Sequence, residues 1–216
     1  MSRPQRLLKK KFVVFCEGDT EYNYIDKMRK KQGVEIALEP INMKGGGYSN
    51  FLNVLKTKSQ TNCIAKFIIV DADRILKEQG EKTNFQELLE YCTLQNKKEM
   101  IPHFLIVDNP DFEYVACLHV KEYKGQDIAR FITSGLGFEN IDEFKVKKDV
   151  YDFLNNNTRT YQNAIDSVKN KPKLLKNRYT IVKKKFDIQI KETVLDWDRL
   201  SGKCSNIEEF FDVIDW

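Results

Sequence analysis

The sequence predicts an α/β fold in which a mostly parallel sheet is flanked by helices. Short apolar runs alternate with helical segments through the first 110 residues. The strongest run, residues 66–70 (KFIIV), is continuous and rich in β-branched residues, which is typical of a parallel strand covered on both faces. After residue 125 the alternation is replaced by helix-like segments. Strands that alternate with helices imply a doubly wound sheet with right-handed crossovers.

The elements of the first half follow from apolar runs and from capping residues. Strands are predicted over residues 12–16, 34–38, 66–70 and 102–107. Helices are predicted over residues 20–31, from 49 or 50 to about 58, over 84–95, and from 111 to about 121. Asp19 or Thr20 caps the first helix, Ser49 or Asn50 caps the second, and Pro110 opens the last.

The second half is predicted to be a mostly helical lobe. Its helical segments cover residues 127–134, 144–154, 161–169 and 207–214. Residues 178–190 (RYTIVKKKFDIQI) fit a strand or a helix equally well. The predicted organisation is therefore an α/β body over residues 1–125 and a C-terminal, mostly helical lobe with a basic segment over residues 126–216.

Composition and cysteine spacing exclude several classes of protein. The 216 residues are 41% hydrophobic and 31% charged, so the chain is neither disordered nor fibrous. No apolar run approaches the roughly 20 residues of a membrane span. The run at residues 12–16 is too short for the apolar part of a signal peptide. The five cysteines form no CxxC pair, which argues against a disulfide framework or a zinc site. We therefore expect a cytoplasmic protein with no membrane partner.

Charge is distributed unevenly along the chain. The net charge is +4, from 36 basic and 32 acidic residues. Residues 145–190 contain twelve basic and four acidic residues, whereas residues 191–216 contain three basic and seven acidic ones. An acidic body joined to a basic segment is a layout that suits a polyanion-binding protein. Ordinary solvated, lysine-rich surfaces explain the same distribution.

Acidic residues follow three of the predicted strands. Glu17 comes directly after the first strand, Asp71 and Asp73 come directly after residues 66–70, and Glu113 lies at the start of the helix after the last strand. The carboxyl ends of parallel strands line the ligand crevice of such a sheet, so we expect these side chains to gather there. A helix N-cap role for Asp73 is the alternative.

A group of carboxylates at one edge is chemically suited to hold a divalent cation. Carboxylates a few ångströms apart raise one another's pKa, and a cation removes that penalty. Asp71 and Asp73 point the same way if the extended backbone continues past the strand. All-oxygen ligands favour Mg²⁺ or Mn²⁺ over zinc, and two such ions clamp the attacking and leaving oxygens of a phosphoryl displacement. Glu17 is a ligand or, with its pKa near neutrality, a general acid or base.

Three segments of the sequence resemble the RloB-like branch of the Toprim superfamily. They are FCEGDTEYNY (15–24), FIIVDADR (67–74) and DNPDFEYVACLH (108–119). The Toprim pattern is a glutamate after the first strand and a DxD after a later strand, here Glu17, Asp71 and Asp73. The branch adds a segment similar to SNPCFELW, here residues 108–114, which contains Glu113. The resemblance covers about residues 12–120 and implies a Toprim-like sheet.

The resemblance implies metal-dependent phosphodiester chemistry, namely cleavage of DNA or RNA by a nuclease that uses Mg²⁺ or Mn²⁺. Glu17, Asp71 and Asp73 would be metal ligands, and Glu113 a fourth catalytic residue that binds the ion or orients another group. Relatives are found in bacterial anti-phage (abortive-infection) loci beside an ABC- or AAA-type ATPase. The sequence contains no GxxxxGK[ST] motif, so an ATPase activity would come from such a partner.

Seven basic residues are candidate contacts to a nucleic acid. Lys44 precedes the glycine loop and the N-terminus of a helix, where backbone amides can hold a phosphate. Arg74 follows the DxD and is suited to neutralise transition-state charge, or to form a surface salt bridge. The remaining candidates lie in the basic segment, where Tyr179 and Phe186 can stack on bases: Lys173, Lys176, Arg178, Lys183 and Lys184.

Two other functions remain open at this stage. The first is a non-catalytic subunit that senses a nucleic acid or binds an ATPase, with its acids around a structural ion. The second is nucleotidyl transfer, which occurs in Toprim primases. Nucleotidyl transfer needs a site for a nucleoside triphosphate, and the sequence offers no second phosphate-binding motif to supply it.

Overall fold

Two sheets organise the protein, for which a computed structural model describes residues 11–31, 37–57, 62–98, 101–156, 158–182 and 187–214. The strands are β1 (Lys11–Cys16), β2 (Ala37–Asn42), β3 (Ala65–Asp71), β4 (His103–Asn109), β5 (Leu175–Val182), β6 (Asp187–Leu195) and β7 (Cys204–Ser205). The central sheet has the order β2-β1-β3-β4-β7; β5 and β6 form a separate antiparallel pair. β1 to β4 are parallel, and β7 pairs antiparallel with β4. The predicted α/β fold with a mostly parallel sheet is confirmed.

Helices cover both faces of the central sheet. They are α1 (Asp19–Arg29), α2 (Gly47–Thr57), α3 (Asp73–Lys77), α4 (Glu81–Lys97), α5 (Phe112–Leu118), α6 (Ile128–Arg130), α7 (Ile141–Lys145), α8 (Val150–Leu154), α9 (Tyr161–Val168) and α10 (Ile207–Ile214). One face packs against α2, α3 and α4. The other packs against α1, α5 and the helices from α7 to α10.

The alternation of side chains along the strands builds two cores at once. In β1, Phe12 and Val14 enter the core on one face of the sheet, while Val13 and Phe15 enter the core on the other. All four side chains are fully buried. Burial of such a side chain contributes about 1.5–3 kcal/mol, so an uninterrupted apolar strand stabilises both layers. This explains why the continuous run at residues 66–70 predicted a central strand correctly.

Several helix boundaries differ from the predictions for local reasons. Gly18, and not Asp19 or Thr20, is the N-cap of α1, and its N–H donates to the Glu21 carboxylate at 3.1 Å. α2 begins at Gly47, two to three residues earlier than predicted, and the N–H of Tyr48 donates to the side chain of Glu81. The second strand lies at Ala37–Asn42; of the predicted strand 34–38, residues 34–36 lie outside the described residues.

Two predicted helices of the second half are divided. The segment predicted as one helix over residues 144–154 contains the last two residues of α7, a turn, and all of α8. The segment 127–134 forms α6, which continues into a π-helical turn over Phe131–Gly135.

The ambiguous segment 178–190 belongs to the β5–β6 hairpin, with a bulge between Arg178 and Tyr179. Leu175 and Asn177 of β5 are buried, whereas Lys176 and Arg178 are exposed, which is the alternation of a half-buried strand. The Asn177 side-chain amide donates to the Leu105 carbonyl at 3.0 Å, which attaches the hairpin to β4. The region predicted to be mostly helical thus contributes this hairpin and also β7 of the central sheet. The boundary near residue 125 stays a prediction.

Within the described ranges, none of the helices combines the length and the apolar character that a membrane span requires.

Candidate functional site

The carboxyl edge of the central sheet brings Glu17 and Asp71 into direct contact. β1 ends at Cys16 and β3 ends at Asp71, in adjacent parallel strands. The Glu17 carboxylate accepts the backbone N–H of Asp71 through Oε2 at 2.9 Å. Two residues that are 54 positions apart in the sequence therefore lie side by side, as the strand-end argument predicted.

Burial raises the pKa of Glu17 to about 7. The charges of Asp73 and Glu81 act in the same direction, while the Asp71 N–H and the Arg74 guanidinium oppose the shift. A carboxyl group with a pKa near neutrality exchanges a proton readily at physiological pH. Glu17 is thus chemically able to act as a general acid or base as well as a ligand.

The Asp71 side chain joins the sheet to α5. Its Oδ1 accepts the N–H of Phe112 at 3.0 Å, and its backbone carbonyl accepts the hydroxyl of Tyr48. Burial, followed by the charges of Glu21 and Glu17, holds the pKa of the Asp71 carboxyl well above its ordinary value. Such a group is costly when ionised, and a cation beside it would lower that cost.

Asp73 lies at the start of α3, so the backbone after Asp71 is not extended and the two aspartates do not follow the strand alternation considered from the sequence. Ala72 is the N-cap of this helix, and the N-cap role considered for Asp73 is therefore wrong. The Asp73 carboxylate accepts from Lys77 Nζ at 2.8 Å. Its charge contributes to the raised pKa of Glu17, which places it in the same group of acids.

Glu113 is buried in the first turn of α5 and connects three helices. Its Oε1 accepts the hydroxyl of Thr20 in α1 at 3.0 Å. Its Oε2 lies 3.5 Å from Nζ of Lys145 at the end of α7. These two partners hold the carboxylate in place beside the other acids.

Sequence reasoning missed Glu21 as a member of this acidic group. Its side chain is buried, and burial together with the charge of Glu113 raises its pKa to about 8. The signal was present in the sequence: Glu21 lies four residues after Glu17, in the first turn of the helix that follows the first strand.

Asp108 is the second missed residue. It is the second-last residue of β4, in register with Asp71 on β3, and it is fully buried. Ser205 of β7 donates its hydroxyl to Oδ1 at 2.5 Å, while Oδ2 has no hydrogen-bond partner among the described residues. Burial raises the pKa of Asp108 to about 7. An aspartate directly after a predicted strand was the available signal, but its burial depends on β7.

Arg74 and the glycine loop flank the acidic group. The Arg74 guanidinium lies 3.9 Å from Glu17 Oε1 and 3.7 Å from Glu81 Oε2, and it pairs with Glu78 at 2.9 Å. Lys44 begins the loop, and the next residue, Gly45, donates its N–H to the Glu17 carbonyl at 2.8 Å. Arg74 therefore lies beside the Glu17 side chain, and the residue after Lys44 is hydrogen-bonded to the Glu17 backbone.

The basic segment is only partly available to a ligand. Lys173 differs from the prediction: its side chain is 6% exposed, pairs with Glu208 at 2.9 Å and donates to the Val168 carbonyl, so it anchors the end of α9. Lys176 is exposed, and Arg178 pairs with Glu192 at 3.0 Å. Lys183 and Lys184 lie outside the described residues, as does Phe186.

The donor chemistry of the site fits a hard divalent cation. Glu17, Asp71 and Asp73 offer only carboxylate oxygens, the ligands that Mg²⁺ and Mn²⁺ prefer. Burial raises the pKa of both Glu17 and Asp71, and neighbouring negative charges add to each shift, so a cation would lower the cost of ionising them. Among the residues in the described ranges, no three acidic, histidine or cysteine side chains already converge as ligands of one ion. The carboxylates that would bind the ion instead accept hydrogen bonds from two backbone N–H groups and from Lys77.

The fold and the site together define an α/β protein with a mostly parallel sheet and a group of buried acids at its carboxyl edge. The chain belongs to the RloB-like protein family, whose model matches residues 12–190. The matched region contains β5 and the buried acids of the site: Glu17, Glu21, Asp71, Asp108 and Glu113, together with Asp73. Neither a curated protein nor a solved structure matches the chain.

Proposed function

We propose that this protein is a divalent-metal-dependent nuclease that hydrolyses phosphodiester bonds in DNA or RNA. One observation supports the proposal. The Glu17 carboxylate accepts a hydrogen bond from the Asp71 N–H within a group of buried acids at the carboxyl edge of a parallel sheet. Burial of charge at a ligand-binding edge is costly, and functional sites are where such cost is concentrated. Membership of the RloB-like family is consistent with this proposal.

In this proposal Glu17, Asp71 and Asp73 hold Mg²⁺ or Mn²⁺. The ion, when bound, polarises a phosphoryl oxygen and neutralises developing charge. Glu17, with a pKa of about 7, also accepts or donates a proton near the scissile phosphate. Glu113 orients its neighbours through Thr20 and Lys145.

We further propose that the nuclease is the effector of a cytoplasmic anti-phage defence system in bacteria and works with an ABC- or AAA-type ATPase. The chain itself contains no GxxxxGK[ST] motif, so the proposed ATP hydrolysis belongs to the partner. A gene for such an ATPase next to the gene for this protein would support the proposal, and co-purification of the two proteins would test it.

The decisive experiment is a cleavage assay on three substrates: plasmid DNA, single-stranded DNA and tRNA, each with Mn²⁺ or with EDTA and with or without the ATPase. We expect cleavage that requires the metal and that is lost in Glu17→Gln and Asp71→Asn. Glu90→Gln, an exposed glutamate of α4, is the matched control and should cleave normally. Full activity of Glu17→Gln or Asp71→Asn would disprove the proposed site.

A second candidate is a non-catalytic subunit that senses a nucleic acid or binds an ATPase. It is favoured by the pairing of the acids with resident cations, Asp73 with Lys77 and Glu113 with Lys145. These lysines neutralise the charge of Asp73 and Glu113 within the protein itself, as a purely structural group of acids would require. Binding without cleavage under every condition of the assay, including the added ATPase, would favour this candidate.

A further inference from the structure

A basic concavity of about 470 Å³ lies between the end of α9 and the outer face of the hairpin. Four of its lining side chains are exposed cations: Lys169, Lys171, Lys176 and Arg178. Among the described lining residues the single acid is Asp196, which pairs with Arg199 at 3.2 Å. Arg178 also pairs with Glu192 at 3.0 Å, so Lys169, Lys171 and Lys176 supply the excess positive charge of the concavity, which lies outside the acidic site.

The backbone that presents these cations is held in place. Lys173 anchors the loop by pairing with Glu208 and by donating to the Val168 and Lys171 carbonyls at 2.7 and 3.1 Å. The next residue, Leu174, donates its N–H to Sγ of Cys204 at 3.3 Å. Lys173, predicted to contact a nucleic acid, is thus a structural residue, and its exposed neighbours are the side chains that can contact a ligand.

The concavity begins at the same end of the central sheet as the acidic site. Cys204, which receives the Leu174 N–H, pairs with Asn109 at the end of β4. Its neighbour Ser205 donates to Asp108, the strand partner of Asp71. A polymer that reaches Asp71 along this edge can therefore continue onto the concavity.

The concavity contains phosphate-binding groups but no surface for stacking bases. None of its described lining residues is aromatic. Tyr179, the aromatic residue that the sequence suggested for stacking, turns inward: its ring packs on Phe104 and its hydroxyl donates to Asp212 at 2.7 Å. Lys176 lies on the exposed face of β5 and Lys171 lies in the loop before it, so the two side chains can contact separate phosphates.

We propose that this concavity binds the phosphate backbone of the nucleic acid on which the acidic site acts, without reading its bases. The inference rests on the proposed function for the identity of the polymer. Backbone binding of this kind is independent of sequence and weakens as salt rises, because cations condensed on the nucleic acid are released. The proposal assigns Lys169, Lys171 and Lys176 as phosphate contacts, and it excludes Lys173 and Tyr179 from the predicted nucleic-acid contacts.

The test measures binding in EDTA, where metal-dependent cleavage does not occur. Labelled oligonucleotides of equal length but different base composition, single-stranded and duplex, are titrated by fluorescence anisotropy at several salt concentrations. We expect Lys171→Ala/Lys176→Ala to weaken binding of every sequence alike. We also expect it to reduce the slope of log affinity against log salt by about 1.4 for single strands and about 1.8 for duplex DNA.

Lys56→Ala/Lys121→Ala is the matched control, because it removes the same charge from exposed lysines outside the concavity. Equal affinity and slope in the two double variants would overturn the proposal. Strong dependence of the affinity on base composition would overturn the claim that the concavity does not read the bases. Failure of Glu17→Gln to affect cleavage would instead contradict the nuclease proposal and leave this binding result intact.

Discussion

The hydroxyl of Ser205 donates to Oδ1 of Asp108 at 2.5 Å, joining residues 97 positions apart across the β4–β7 pair. Asp108 is fully buried, and this is the one hydrogen bond of its carboxyl group within the described part of the chain. Ser205 also accepts the N–H of Ile207 at 2.9 Å. Through Ser205, the two-residue strand β7 thus holds both the Asp108 carboxyl group, at the edge of the candidate site, and the first residue of α10.

We predict that Ser205→Ala lowers the free energy of unfolding by about 1–3 kcal/mol, because it leaves Asp108 without its donor and the Ile207 N–H without its acceptor. Urea denaturation followed by circular dichroism measures the change. Ser201→Ala removes the same hydroxyl at an exposed position and should change stability by less than about 0.5 kcal/mol. Equal denaturation midpoints for the two variants would contradict the prediction.

Stability should decrease as pH rises from about 6.5 to about 8. Burial raises the pKa of Asp108 to about 7 and that of Glu21 to about 8, from ordinary values of 3.8 and 4.5. Each group binds its proton more tightly in the folded state, so its contribution to stability is lost as pH rises from its ordinary pKa to its raised one, which for these two groups ends at about 7 and about 8. Burial lowers the pKa of His103 and His119 to about 4 from 6.5, so their effect is confined to lower pH.

Thermal unfolding at a series of pH values between 6.5 and 8 measures this dependence. Asp108→Asn removes one of the titrating groups and should flatten the profile. A wild-type stability that is constant or increases over this interval would show that the buried acids do not titrate there. Addition of Mn²⁺ should reduce the loss at pH 8 if the ion binds beside the acids.

Lys77→Met should increase the affinity for Mn²⁺. The lysine pairs with Asp73 at 2.8 Å, and an incoming cation competes with it for the same carboxylate. An exposed ion pair contributes at most about 1 kcal/mol, so the expected gain is roughly two- to fivefold. Isothermal titration calorimetry gives the dissociation constant directly. Lys56→Met is the control for loss of an exposed lysine, and an unchanged affinity in Lys77→Met would exclude the competition.

Gly47→Ala should destabilise the protein more than Gly125→Ala does. Both glycines have a positive φ, +69° and +94°, so both variants incur the cost of a left-handed backbone, about 1–2 kcal/mol. A Cβ at Gly47 would also lie 2.7 Å from Oε2 of Glu81, whereas one at Gly125 would have nothing within 4 Å. Chemical denaturation of both variants isolates the second effect, and equal losses would show that Glu81 moves aside freely.

The positions at which β1 and β3 end were predictable from the sequence, and they explain why Glu17 and Asp71 could be identified as neighbours. Glu17 and Asp71 each follow an apolar run, and parallel strands bring their carboxyl ends to one edge whatever the intervening loops. The basic segment was less predictable. Lysines look alike in a sequence, but Lys173, in the loop before β5, is held by Glu208 and the end of α9, whereas Lys176 lies on the exposed face of β5.

The sequence by itself determined the α/β class, the central strands and the convergence of Glu17 with Asp71, because local apolar patterns dictate which segments become buried strands. Only the tertiary structure decided that Asp108 is buried beneath Ser205, since β7 is too short to have a periodicity and its pairing is a long-range contact. Burial also decided the proton affinity of the acids. The pKa of a carboxyl group depends on the water and charge around it, and those are set by packing.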